Sequence, residues 1–210
     1  MSLIFDFLFG QYSGYDTVDI VLEIVAVIFG FLSVWYSKQN NILVFPTGMI
    51  STSIFVYLLL KWELLGDMMI NAYYFIMSVY GWYIWTRKVD AEHVTPISRT
   101  TAWENKMSII IFLVTLGFVF VVYKTFDKWT SWVAYVDTFT TAIFFVGMWL
   151  MARRKVENWI YWILGDLISI PLYFYKGFTF TSIQYFGFTI IAIYGYLAWK
   201  KSLDKTPQIA

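Results

Sequence analysis

The chain has 210 residues, of which 60% are hydrophobic, 22% aromatic and only 14% charged. Soluble domains run about 45–50% apolar and about 25% charged, so a domain dissolved in water is excluded. The net charge of +1 offers no basic excess for nucleic acid, the lack of cysteine removes disulfides and thiolate or Cys-metal chemistry, and the one histidine, His93, has no partner at metal-ligand spacing.

A hydrocarbon core of roughly 30 Å needs about 20 mostly apolar residues per helix. In chain order, residues 1–17 form an extracytoplasmic segment with Asp6 and Asp16 and no Lys or Arg, so no cleavable signal is expected. Helices are predicted over 20–37, 42–60 and 66–86, inside a first three-helix unit spanning 18–86. Residues 87–106 read as a solvated loop with mixed charge, Pro96 and His93. A linker helix over 107–123 and its loop fill 107–131. Helices over 132–152, 158–175 and 182–199 make a second unit, 132–200, before a tail of 201–210. The runs exceed barrel strands in length and lack alternation, so the spans are helical.

Lys61, Lys124, Lys128 and Lys176 fall on the N-terminal side of these spans and the other eleven of the 15 basic residues on the opposite side. By the positive-inside rule the N-terminus is outside and the C-terminus cytoplasmic. The third and seventh helices end alike, in Tyr80-Gly81-Trp82-Tyr83 and Tyr194-Gly195-Tyr196. The first and fifth open with Val18-Asp19 and Val136-Asp137. The second and sixth pair Asn41 with Asn158 and Gly48 with Gly165. The expected fold is all-α and integral to the membrane: seven transmembrane helices in a 3+1+3 arrangement of parallel repeats, the SWEET-like rather than the inverted type.

Polar residues at bilayer depth are expensive and read first as a site. In the sixth helix Trp159, Trp162, Asp166, Ser169 and Tyr173 fall on one helical stripe, and in the third Asn71, Tyr74, Ser78, Gly81 and Trp85 repeat its spacing. Gln184 and Thr141 add polar groups at depth. Two such walls would hold a small, flat, neutral or cationic ring bearing hydroxyls. No mid-helix Lys or Arg offsets a phosphate, so phosphorylated ligands are disfavoured. The bland readings stand beside these. Trp35, Trp62, Trp85, Trp103, Trp129, Trp132, Trp149 and Trp199 suit an interfacial aromatic belt, and Trp159 suits belt or site. Asp19 suits a helix start, and Asp137 either a helix start or the site, since Thr141 lies one turn below. Asn71 and Tyr74 could instead bond between helices. Asp137, Tyr173 and Ser78 are gate or structural candidates, and Pro171 is expected to kink the sixth helix. No nucleotide-binding G-x-x-x-x-G-K-[ST] or H-E-x-x-H occurs, and one loop histidine cannot complete a hydrolase triad, so an enzyme is not expected.

The combination Asn71-x-x-Tyr74, Gly81-x-x-x-Trp85 and Trp159-x-x-Trp162, with the Arg154-Lys155-Val156-Glu157-Asn158 run, resembles the PnuC family of nicotinamide riboside transporters. The resemblance covers all seven helices and implies a fold similar to a full-length SWEET-like transporter. It implies uptake of unphosphorylated nicotinamide riboside (vitamin B3, for NAD biosynthesis) by facilitated diffusion through the bacterial inner membrane. It also implies a homotrimer, trapping by a cytoplasmic riboside kinase, and no cofactor. Carried over by motif, Asn71, Tyr74, Trp159 and Trp162 contact substrate; Asp166, Ser169, Gln184 and Thr141 join them from the stripe reading. Thiamine or riboflavin transport is the alternative, with proton coupling at Asp166 as a variant.

Overall fold

In the computed structural model, residues 16–61, 65–87, 95–127, 129–175 and 179–203 are described; Asp6, Trp62, His93, Lys128 and Lys176 lie outside them. The seven helices among the described residues are α1 (Thr17–Lys38), α2 (Val44–Lys61), α3 (Leu65–Thr86), α4 (Ala102–Thr125), α5 (Trp132–Ala152), α6 (Asn158–Tyr175) and α7 (Thr179–Leu203). By length and composition α1, α2, α4 and α5 can each cross a membrane. The shortest of the others, α6, has 18 residues and spans about 27 Å at 1.5 Å per residue.

Helix α4 starts at Ala102, so it takes in the end of the 87–106 segment read as loop. The reason is a capping box. The Thr101 hydroxyl accepts the Glu104 N–H at 3.3 Å, and the Glu104 carboxylate accepts the Thr101 N–H at 2.8 Å. Helix α6 runs through Pro171 to Tyr175, and the neighbouring Ile170 carbonyl accepts the Ser182 hydroxyl at 2.8 Å. Asp19, expected as a helix-start anion, is buried and accepts from Lys61 Nζ at 2.7 Å.

Sequence neighbours pack as α1–α2–α3 and α4–α5–α6–α7, and the two groups meet through α1 against α7 and α3 against α5. Helix α5 is central, with 67% of its most apolar stretch buried, whereas α4 is peripheral at 17%. One set of contacts recurs at a constant spacing of 114 residues, the separation of Asn40 and Arg154. The Trp85 indole N–H donates to the Met151 carbonyl at 3.3 Å, and Trp199 donates to the Ser37 carbonyl at 3.0 Å. Asn40 and Arg154, with φ of 55° and 61°, close the α1–α2 and α5–α6 turns through matching bonds to the Ser37 and Met151 carbonyls. A Cβ on Gly81 would lie 2.2 Å from the Phe45 ring, and one on Gly195 would lie 2.6 Å from the Trp159 ring.

This spacing corrects the expected repeat register. It agrees with the ends of α3 and α7 but sets Gly48 against Trp162 and Ser51 against Gly165, in place of Gly48 against Gly165. Asn41 likewise matches Lys155, and Asn158 matches Val44. The belt assignment also changes for two residues. Trp85 and Trp199 are 3% and 1% exposed, because each indole N–H finds a carbonyl across the bundle, whereas Trp35, Trp103 and Trp132 do lie on the exterior.

Candidate functional site: an aromatic box beside a buried carboxylate

Both predicted stripes face inward. On α6, Trp159, Asp166 and Ser169 are buried while Ile160, Leu164, Leu167 and Phe174 are exposed. On α3, Ser78, Gly81 and Trp85 are buried while Ile76, Val79 and Tyr83 are exposed. The polar and aromatic spacing therefore marks the faces that the tertiary structure turns toward the middle of the bundle.

The stripes touch where Tyr74 meets Trp162, with ring centroids 6.4 Å apart. Other helices complete an array of rings there. Phe144 of α5 lies 5.5 Å from Trp162 and is stacked on Tyr185 of α7 at 6.0 Å, and Tyr185 lies 5.2 Å from Tyr173. Behind Tyr74, Tyr73 stacks on Phe145 at 3.9 Å and donates its hydroxyl to the Phe145 carbonyl at 3.0 Å. Two glycines permit this closeness. A Cβ on Gly165 would stand 2.3 Å from the Phe144 ring, and Gly147 backs the Trp162 indole.

Asp166 lies one turn beyond Trp162 on α6 and is 2% exposed. Its carboxylate forms no hydrogen bond or ion pair among the described residues, and it is within electrostatic reach of Tyr74 and Tyr185. The buried Ser169 hydroxyl, one turn further, also has no partner among the described residues. No Lys or Arg occurs in α3, α5 or α6, and those of α7 stand in its last turn. A buried anion with neither partner nor neighbouring cation is costly, and a cationic guest would offset that cost. Among the described residues no group of His, Asp and Glu is arranged to hold a metal.

The remaining candidates distribute unevenly. Trp159 packs edge-on against Trp199 at 5.5 Å, in the buried cluster at the end of α7, rather than in the ring array. The Asn71 amide donates to its own helix at the Asp67 carbonyl, and the Ser78 hydroxyl to the Tyr74 carbonyl, while Ser78 also packs on Gly48. Asp137 lies within electrostatic reach of Tyr123 on α4, and the Tyr173 ring lies against that of Tyr185. Gln184 and Thr141 are half-buried. The sequence reading missed Phe144, Phe145, Tyr73 and Tyr185. Adjacent Phe144-Phe145 at mid-helix and the Gln184-Tyr185 pair were the available signals. An apolar groove between α3, α4 and α5, lined by Tyr73, Ile110, Val114, Phe118 and Trp149, carries no charged side chain and is separate from Asp166.

Comparison with known proteins agrees with this architecture. The nicotinamide riboside transporter PnuC of Escherichia coli strain K12 is 23% identical over 217 residues, covering 90% of this chain and 88% of that protein. The riboflavin/roseoflavin transporter RibM of Streptomyces davaonensis is 28% identical over 128 residues, covering 59% of this chain and 58% of its own length. A crystal structure of the vitamin B3 transporter PnuC shares the fold at a TM-score of 0.66 and 22% identity, over 97% of this chain and 87% of that one. A sequence model described as nicotinamide mononucleotide transporter matches residues 20–201. A match that runs from α1 to the last turn of α7, on an all-helical bundle with inward polar stripes, identifies the chain as a member of that family of membrane transporters, and not as an enzyme.

Proposed function

We propose that this chain carries unphosphorylated nicotinamide riboside into the cell, with the pyridinium ring held in the Tyr74–Trp162–Phe144–Tyr185 box and its charge facing Asp166. The observation that carries the proposal is a buried carboxylate, unpartnered among the described residues, beside an array of aromatic rings. Ring faces attract a cation by ~0.5–2 kcal/mol each, and Asp166 adds a full counter-charge. Relatives in Escherichia coli and Neisseria mucosa, both nicotinamide riboside transporters, favour the same substrate. The family's descriptive name points to the mononucleotide, but a phosphate beside Asp166 would meet a like charge with no cation to receive it. Asn71, Gln184, Ser169 and Thr141 are the proposed partners of the carboxamide and ribose hydroxyls, with Asp137 toward the outer mouth. Trp159 stands under this arrangement as a buried support one turn away.

Transport runs by alternating access of two parallel three-helix repeats, residues 18–86 and 132–200, joined by α4. The contacts that recur at 114-residue spacing support that plan. The N-terminus is outside, and the positive charge of the substrate drives facilitated entry into the negative cell interior. A homotrimer in the inner membrane and trapping by a riboside kinase complete the reading. Riboflavin is the second reading, favoured by the match to RibM. Its neutral ring would leave Asp166 without a counter-charge.

The test is calorimetric titration of the purified protein with the riboside, its mononucleotide, thiamine and riboflavin. Tight binding of the riboside alone is expected. Binding of the mononucleotide at equal affinity would overturn the phosphate argument, and preferential riboflavin binding would install the second reading.

A further inference from the structure

The α1–α3 and α4–α7 groups are tied together by hydrogen bonds at the end of the bundle where α1 and α5 finish. There Trp85 and Trp199 each donate to a carbonyl of the other group, and their rings lie 5.7 Å apart. Arg154, in the α5–α6 turn, donates from Nε to Asn40 Oδ1 at 2.9 Å, in the α1–α2 turn. A second guanidinium nitrogen donates to the Thr95 carbonyl, and the guanidinium carbon lies 4.6 Å from the Trp85 ring centroid. Positive φ at both Asn40 and Arg154, uncommon for residues other than glycine, closes the two turns that bring these side chains face to face. Arg154 is 8% exposed, so this contact is part of the seal and not a surface pair. At the opposite end the Lys61–Asp19 pair and the Trp132–Tyr175 ring contact each stay within one group. Within the seal, Ser37 Oγ and Trp159 Nε1 are buried without hydrogen-bond partners among the described residues, a cost that entry of water would relieve.

We propose that Arg154 is the latch of the gate at this end: its bond to Asn40 and its contact with Trp85 hold the two turns together, and substrate passes only when they part. No cofactor or covalent step is involved. The proposal rests on the alternating-access reading, but not on the identity of the substrate.

The chain has no cysteine, so a single introduced thiol reports local access without background. In sealed vesicles of both orientations, a membrane-impermeant maleimide should label Ser37→Cys slowly, and only from the latch side. Adding Arg154→Ala should speed that labelling about tenfold, equivalent to about 1.4 kcal/mol in the closed–open balance. The same change should slow labelling of Gln184→Cys from the other side, because opening one gate closes the other. Arg154→Lys keeps the charge but not the planar fork, so its rate should lie between the two. Asn40→Ala, which removes only the acceptor, provides the same comparison should Arg154→Ala misfold. An unchanged Ser37→Cys rate would overturn the latch, and so would faster labelling at both positions, which marks general loosening. A failure of riboside binding would instead overturn the substrate and leave the labelling result standing.

Discussion

Asp166 illustrates how one residue's meaning depends on its surroundings. As a carboxylate eight positions into α6 it already stood out, because charge at bilayer depth is costly. The structure adds that no cation among the described residues pairs with it and that Trp162, on the same face, joins Tyr74 and Phe144 in the ring array. If Asp166 answers the pyridinium charge, Asp166→Asn should weaken the riboside by about tenfold or more while hardly affecting its uncharged dihydro form. Titrating both compounds against both proteins measures that ratio, and an equal loss for the two would remove the electrostatic role. Trp162→Ala deletes the ring at the centre of the array and should cost about ten- to hundredfold in affinity, at an unchanged melting temperature. Uptake that survives Trp162→Ala intact would move the site elsewhere. Trp159, adjacent in the motif, behaves differently. It is packed beneath Gly195 and Trp199, so its replacement should lower the melting temperature first.

Among the elements, close helix contacts depend on glycines placed under rings. Gly165 admits Phe144 and Gly195 admits Trp159, so Gly165→Ala forces a core ring to move and should cost about 1–3 kcal/mol. Gly117 on α4 has nothing within 4 Å, and Gly117→Ala should leave the melting temperature unchanged or raise it. A thermal melt of the two variants in one detergent compares them directly, and equal shifts would refute the packing argument. The start of α4 is held in another way. Glu104, 1% exposed, completes the cap with Thr101 and accepts from Arg153 at 2.9 Å and Lys155 at 3.1 Å. Removing its charge strands two cations around a buried site. Glu104→Gln should therefore destabilise by about 3–5 kcal/mol, seen as a lower melting temperature, with riboside affinity retained in the folded fraction.

For the whole molecule, transport energetics follow from charge. The chain lacks a nucleotide-binding loop, and a monovalent cation entering a negative interior gains about 2.3 kcal/mol per 100 mV, close to fiftyfold in accumulation. Uptake into proteoliposomes should rise with an inside-negative potential and ignore a pH gradient. Stimulation by the pH gradient alone would instead assign Asp166 a proton-carrying role. The cross-contacts between the two groups belong to this scale too. The α1–α7 and α3–α5 pairs carry the reciprocal tryptophan bonds, while α4 touches α3 only marginally and packs mainly on α5.

The sequence by itself determined the solvent and the elements, because 20-residue apolar runs have one outcome in a bilayer, and because polar and aromatic side chains spaced at helical intervals must share a face. It thereby picked out the inner faces of α3 and α6, with Asp166 buried on the latter; that Tyr74 meets Trp162 came only from the packing of the two faces. It left the α4 start obscure, since the Thr101–Glu104 cap was hidden inside a charged loop. It also misplaced the register of α1 and α2 against α5 and α6, because short matches such as Val-Asp recur by chance. Only the tertiary structure decided that Phe144 and Tyr185 close the box, that Trp85 and Trp199 are buried rather than interfacial, and that Arg154 faces Asn40. These relations join residues far apart in the chain, and they depend on which helix lies beside which, something no local spacing encodes.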